Sequence, residues 1–155
     1  MTLYTETIET PIGPLRLVGR EDALQELLFD PNAPVEAQER PGFGGFADLL
    51  RAYFGGDLGA IDRIAVDAAG TAFQKQVWRL LREIPTGRTT SYGELAARLG
   101  KPAASRAVGL ANARNPVAVV VPCHRVIGAG GHLTGYAGGL ERKRWLLRHE
   151  GALLL

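Results

Sequence analysis

Between Ser91 and Arg114 the chain reads SYGELAARLGKPAASRAVGLANAR, two short helical patterns joined at a glycine. Ser91 and Glu94 have the spacing of a capping box, in which the hydroxyl and the carboxylate satisfy backbone N–H groups that a helix start leaves orphaned. Gly100 is placed to end the first helix in a left-handed conformation, and Pro102 suits the first turn of the second. The pattern predicts a helix-turn-helix over 91–114, although plain helical hairpins share it. Charge favours the first reading. Arg88, Arg98, Lys101, Arg106 and Arg114 cluster here, and Glu94 is the only acid between residues 88 and 114. A basic face of this kind suits a polyanion, and nucleic acid is the expected partner.

The same imbalance divides the whole chain. Residues 1–69 hold 5 Lys+Arg against 12 Asp+Glu, whereas residues 70–155 hold 13 against 4. Two domains are expected, 1–69 with its connector and 70–155. In the first, Leu3–Glu9, Leu15–Gly19 and Leu24–Phe29 read as short strands, with TPIGP as a tight connection. Phe43–Phe54 places Phe43, Phe46, Leu49, Leu50, Tyr53 and Phe54 near helical spacing, and residues 55–69 form the connector. In the second, Thr71 and Gln74 cap a helix whose apolar face is Phe73, Val77, Leu80 and Leu81. The β-branched run Val117–Val121 predicts a buried strand ended by Pro122. Residues 127–139 are a glycine-rich loop, and Leu140–Glu150 a final helix ended by Gly151. The fold class is therefore α/β (α+β): a small N-terminal antiparallel sheet with a helix, packed on a mostly helical C-terminal domain.

With 46% hydrophobic and 22% charged residues the chain is not disordered. No stretch approaches the roughly 20 apolar residues of a membrane span, and the acidic N-terminus does not resemble a signal peptide. The expectation is a soluble, cytoplasmic monomer without membrane contact. One cysteine excludes an intramolecular disulfide.

That cysteine, Cys123, stands in VVVPCHRV, beyond the predicted strand. A free cysteine is most often a small buried hydrophobe. As a nucleophile it needs a base or a positive field, because a thiol of pKa ~8.5 is only slightly ionised at neutral pH. His124 can supply the base and Arg125 the field. A histidine in that role needs a partner on its other nitrogen, for which Glu150 is the candidate. One Cys and three His without paired spacing predict no metal. A cysteine hydrolase with Asn115 as third member stays open, but it leaves the basic helices unexplained.

FQKQVW, IPTGRTTSYGELA, SRAVGLANARNPV, VPCHRVIG and GYAGGLERKRWLLRHEG, in this order, resemble the O6-alkylguanine-DNA alkyltransferases, the methylated-DNA–protein-cysteine methyltransferases. The likeness runs from about Phe73 to Gly151. The N-terminal half matches in outline, as a ribonuclease H-like module. The resemblance implies a DNA repair protein that moves the alkyl group of O6-alkylguanine irreversibly to its own cysteine, once per molecule, after flipping the base out of the duplex. Cys123 would be the nucleophile, His124 the base acting through a water, Glu150 its orienter and Tyr92 the donor to the leaving guanine. Arg106 would fill the place of the flipped nucleotide. Asn115 would fix the loop before the cysteine, Val126 would read the guanine edge through its main chain, Tyr136 would wall the pocket and Lys143 would lie beside it. No cofactor and no metal are implied, and cooperative loading on DNA stays open. Vertebrate members carry a serine where this chain has Ala137, which removes one donor to O6.

Overall fold

The computed structural model describes residues 2–128 and 130–153 and divides into two compact units. The first comprises the chain up to Ala69 together with Pro116–Val120. Its strands β1 (Tyr4–Ile8), β2 (Leu15–Gly19) and β3 (Leu24–Leu28) pair antiparallel in sequence, with Thr5 opposite Val18 and Leu17 opposite Leu27. The β1–β2 turn is locked by Thr10, whose Oγ1 donates to the Gly13 carbonyl at 2.6 Å. A two-residue strand β4 (Gln38–Glu39), not expected from the sequence, lies parallel to β1 and completes the order β3-β2-β1-β4.

The aromatic segment splits into a 3-10 turn at Phe43–Gly45 and helix α1 (Phe46–Phe54), with the break at left-handed Gly44 and Gly45. Phe46, Leu50 and Tyr53 are buried one turn apart, while Leu49 and Phe54 are only half-buried. Phe43 packs against Tyr4 at 6.0 Å between ring centres, and Glu6 accepts the Gly42 N–H at 2.9 Å, so the helix start is tied to β1.

The strand expected over 117–121 is reduced to one bridge. Leu27 N–H donates to the Pro116 carbonyl at 2.9 Å, and Val117 pairs with Leu27. Val119 then takes φ +73°, a left-handed conformation that breaks any pleat and is unusual for a β-branched residue. Every residue from Val117 to Val121 is nevertheless buried. Apolar, β-branched composition gave the burial correctly and the backbone wrongly, because strand propensity depends on a neighbouring strand to pair with.

The second unit, Gly70–Asn115 and Val121 onward, is helical. Helix α2 (Ala72–Glu83) starts with the complete capping box: Gln74 N–H donates to Thr71 Oγ1 at 3.1 Å and Thr71 N–H to Gln74 Oε1 at 2.9 Å. Its buried residues are Val77, Trp78 and Leu81, and Trp78 Nε1 donates to the carbonyl of Ala111 at 2.9 Å. Ser91 caps α3 (Tyr92–Arg98) by accepting the Glu94 N–H, but the Glu94 carboxylate bonds Thr90 instead of closing the box.

Gly100, at φ +72°, makes the corner. Helix α4 (Ser105–Ala113) begins later than Pro102 suggests, because Lys101–Ala104 closes a turn through Ala104 N–H to the Lys101 carbonyl at 2.8 Å. Helix α5 (Leu140–His149) ends at Glu150 and left-handed Gly151. No helix among the described residues is long and apolar enough to cross a membrane.

Thr71→Ala removes one arm of the capping box and should lower unfolding free energy by about 1 kcal/mol in urea titrations, with Thr71→Ser close to the parent.

Candidate active site

Cys123, His124 and Arg125 form a single 3-10 turn that Pro122 opens and Val126 closes, all of it buried. The turn is held at both ends. Cys123 N–H donates to the Val121 carbonyl at 2.8 Å, and Thr90 N–H donates to the Arg125 carbonyl at 2.9 Å. A turn, unlike a strand, lets consecutive side chains address one region.

Glu150, 26 residues beyond His124, reaches back to this turn. Its Oε2 meets His124 Nε2 at 2.9 Å, and both its oxygens accept from Arg125, at 2.8 Å from Nε and 3.0 Å from Nη2. Arg125 also donates to the Ile84 carbonyl at 2.6 Å and to Thr86 Oγ1 at 3.2 Å. Arg125 is 1% exposed and Glu150 5%, so this is a buried ion pair with its donors largely satisfied.

The electrostatics follow from these contacts. Although burial opposes ionisation of Glu150, hydrogen bonds from His124 and Arg125 overcome it and hold the carboxyl far below the ordinary 4.5. Burial pushes His124 below its ordinary value, so the ring is neutral at pH 7. A neutral ring whose Nε2–H donates to Glu150 carries its lone pair on Nδ1, which is buried with no partner among the described residues. Burial also drives the Cys123 thiol up to about 11; a hydrogen bond from Asn115 and the charge of Lys143 pull the other way without winning.

One expectation changes here. The positive field at the thiol comes from Lys143 and not from Arg125, whose guanidinium is consumed by Glu150. Val126 offers its carbonyl to Lys143 Nζ at 2.7 Å, so that acceptor already has one donor. Lys143 itself is fully buried and also bonds Thr134, at 3.1 Å to its carbonyl and 3.3 Å to Oγ1. Desolvation lowers its pKa.

The other residues singled out in the sequence are distributed around this centre. Asn115 Nδ2 donates to the Val121 carbonyl at 2.7 Å, fastening the segment before the cysteine. The Tyr136 ring stands edge-on to His124 at 6.5 Å. Tyr92 opens α3, and its hydroxyl lies 2.8 Å from Thr134 Oγ1. Arg106 is on the exposed face of α4, with Leu110 one turn further on, 56% exposed.

One residue of the site was missed, and another was given a different role. Arg125 could have been paired with Glu150 on charge, since the C-terminal half has only four acids. Thr134 carried no signal. Among the described residues no cluster of His, Cys, Asp or Glu could hold a metal ion.

This arrangement is matched over the length of the chain. Residues 72–152 fit the family description "6-O-methylguanine DNA methyltransferase, DNA binding domain", and residues 3–68 fit the ribonuclease-like domain of the same proteins. The chain belongs to the 6-O-methylguanine DNA methyltransferase family. The methylated-DNA–protein-cysteine methyltransferase of Shigella flexneri is 48% identical over 170 residues, spanning 100% of this chain and 99% of that protein. The crystal structure of Mycobacterium tuberculosis O6-methylguanine methyltransferase superposes with a TM-score of 0.84 at 46% identity, covering 97% of this chain and 94% of that one. Mycobacterium tuberculosis OGT in complex with DNA gives 0.85 at 47% identity, covering 96% and 93%.

Two outcomes test the electrostatics. With its thiol at about 11, Cys123 should react with iodoacetamide at a rate that climbs roughly tenfold per pH unit from pH 7 past pH 9, where an ordinary cysteine levels off. Glu150, with a depressed folded pKa, contributes stability that is fully present above its ordinary 4.5 and is lost as pH falls below it. Glu150→Gln should therefore cost roughly 3 kcal/mol at pH 7 in urea unfolding, and the gap to the parent should narrow at pH 3.

Proposed function

We propose that this chain repairs O6-alkylguanine in double-stranded DNA through Cys123, in the single-turnover alkyl transfer of its family. The sulfur attacks the alkyl carbon in line, the S–C bond forms as the C–O6 bond breaks, and the thioether stays on the protein. The thiol proton leaves by way of His124, and the departing guanine gains one on its ring, so charge and atoms balance. The observation that carries this reading is the pairing of a buried, protonated thiol with a neighbouring histidine whose Nε2 is committed to Glu150 and whose Nδ1 is uncommitted. A thiol held at about 11 is not a standing nucleophile, so a base must act during attack. A water between thiol and Nδ1 would pass the proton.

Other residues take roles consistent with their placement. Tyr92 donates a hydrogen bond to the leaving guanine, whose developing negative charge such a donor stabilises. Arg106, exposed on α4, occupies the space of the flipped nucleotide. Asn115 fixes the loop before Cys123, and the main chain at Val126 reads the base edge. Tyr136 walls the pocket, and Lys143 holds the surrounding loop and lends its charge to the sulfur. The exposed arginine and leucine of α4 suit a minor groove, where basic and apolar side chains are both used. The relative solved in complex with DNA supports DNA as the partner. We place the protein in the cytoplasm as a monomer, where a single unpaired cysteine stays reduced.

The test is the intact mass of the protein after mixing with an equal amount of duplex carrying one O6-methylguanine. One added methyl group per chain, mapped to Cys123 and absent in Cys123→Ala, is expected. An unchanged mass with DNA still bound would refute alkyl transfer.

A further inference from the structure

The loop residue Thr134 touches two side chains of the proposed chemistry at once. Its Oγ1 lies 2.8 Å from the Tyr92 hydroxyl and 3.3 Å from Lys143 Nζ. The three protons of the Lys143 ammonium have three acceptors: the Val126 carbonyl, the Thr134 carbonyl and Thr134 Oγ1. A charged lysine can only donate, so Thr134 Oγ1 accepts from it. The threonine then has one proton to place, and among the described residues the Tyr92 oxygen is its one remaining partner. Once Tyr92 accepts that proton, its own O–H points away from Thr134.

We infer that Thr134 is a positioning residue that turns the Tyr92 hydroxyl outward as a donor, fixing the direction of a chain Lys143 → Thr134 → Tyr92 → leaving guanine. The inference rests on the reading of Tyr92 as the donor to that guanine. Without the threonine hydroxyl, the Tyr92 proton would be free to rotate and would need to be ordered during the reaction. With it, the donor is aligned before charge develops, which is where preorganised hydrogen bonds act most strongly. A chain of hydrogen bonds headed by a cation also polarises its last O–H. No proton is transferred along it, so the balance of the alkyl transfer is unchanged.

The experiment compares Thr134→Val, Thr134→Ser, Tyr92→Phe and the double variant Thr134→Val/Tyr92→Phe. It measures the single-turnover rate of methyl transfer at saturating O6-methylguanine duplex, with the affinity for that duplex measured separately in the Cys123→Ala background. Thr134→Val should transfer about tenfold more slowly at unchanged DNA affinity, and Thr134→Ser should lie within about twofold of the parent. Tyr92→Phe should lose roughly 10- to 100-fold. The double variant should be no slower than Tyr92→Phe alone, because Thr134 acts only through the missing hydroxyl.

A Thr134→Val penalty that persists in full on top of Tyr92→Phe would overturn the inference. So would a Thr134→Ser variant as slow as Thr134→Val, which marks a packing role, or a Thr134→Val variant at parent speed. A Tyr92→Phe variant at parent speed would remove the Tyr92 reading beneath it.

Discussion

The buried contact among Arg125, Glu150 and His124 is the one on which the rest of the helical unit depends. Glu150 follows the last turn of α5, Arg125 ends the cysteine turn, and Ile84, which takes another of its donors, caps the C-terminal end of α2. Three segments far apart in sequence are thus joined through one guanidinium. Burying an isolated charge costs several kcal/mol, so the arrangement holds only while both partners are present. That constraint fixes more than stability. Arg125 engages both carboxylate oxygens of Glu150, and Oε2 also meets His124 Nε2; because the carboxylate can only accept, the imidazole is thereby set with its proton on Nε2.

The thiol is governed by a contest of larger and smaller effects. Burial raises its pKa, whereas the Asn115 hydrogen bond and the Lys143 charge lower it, and burial prevails. Arg125, though adjacent in sequence, is neutralised by Glu150 before it can help. A protein that uses its nucleophile once gains from this balance, since a standing thiolate would be open to oxidation or to chance electrophiles before meeting its substrate. On the proposed reading, reactivity is instead deferred until a substrate sits beside the sulfur and His124 can take the proton.

Much of this was legible in the sequence where the determinants are local. Capping residues located the starts of α2 and α3 within the chain, because a helix terminus must satisfy its own N–H groups from nearby. The turn at Cys123 followed from Pro122. Longer-range features escaped. Strand β4 exists only through parallel pairing with β1, which no two-residue pattern announces. Val117–Val121 carried every mark of a strand but, among the described residues, forms a β-bridge at Leu27 rather than a paired strand. Pro102 fits a first helical turn as well as it fits the tight turn it occupies. The direction of a side chain is set by what surrounds it, which is why Arg125 was read toward the thiol and Thr134 was not read at all.

Tyr92 joins the two halves of the proposed reaction. It opens α3, its ring is the nearest neighbour that a Cβ at Gly109 of α4 would meet, at 3.7 Å, and its hydroxyl reaches Thr134 in the glycine-rich loop. The corner between α3 and α4 is therefore also a wall of the site. On the proposed reading, the element that docks on DNA and the donor that stabilises the leaving guanine belong to one packed body. Docking then sets the donor without a separate conformational step. A side chain at Gly109 would still fit against the ring, at ordinary contact distance, but would narrow the room in which the tyrosine can adjust as the base arrives. The glycine leaves that room open while Thr134, itself bonded by Lys143, meets the hydroxyl from the other side.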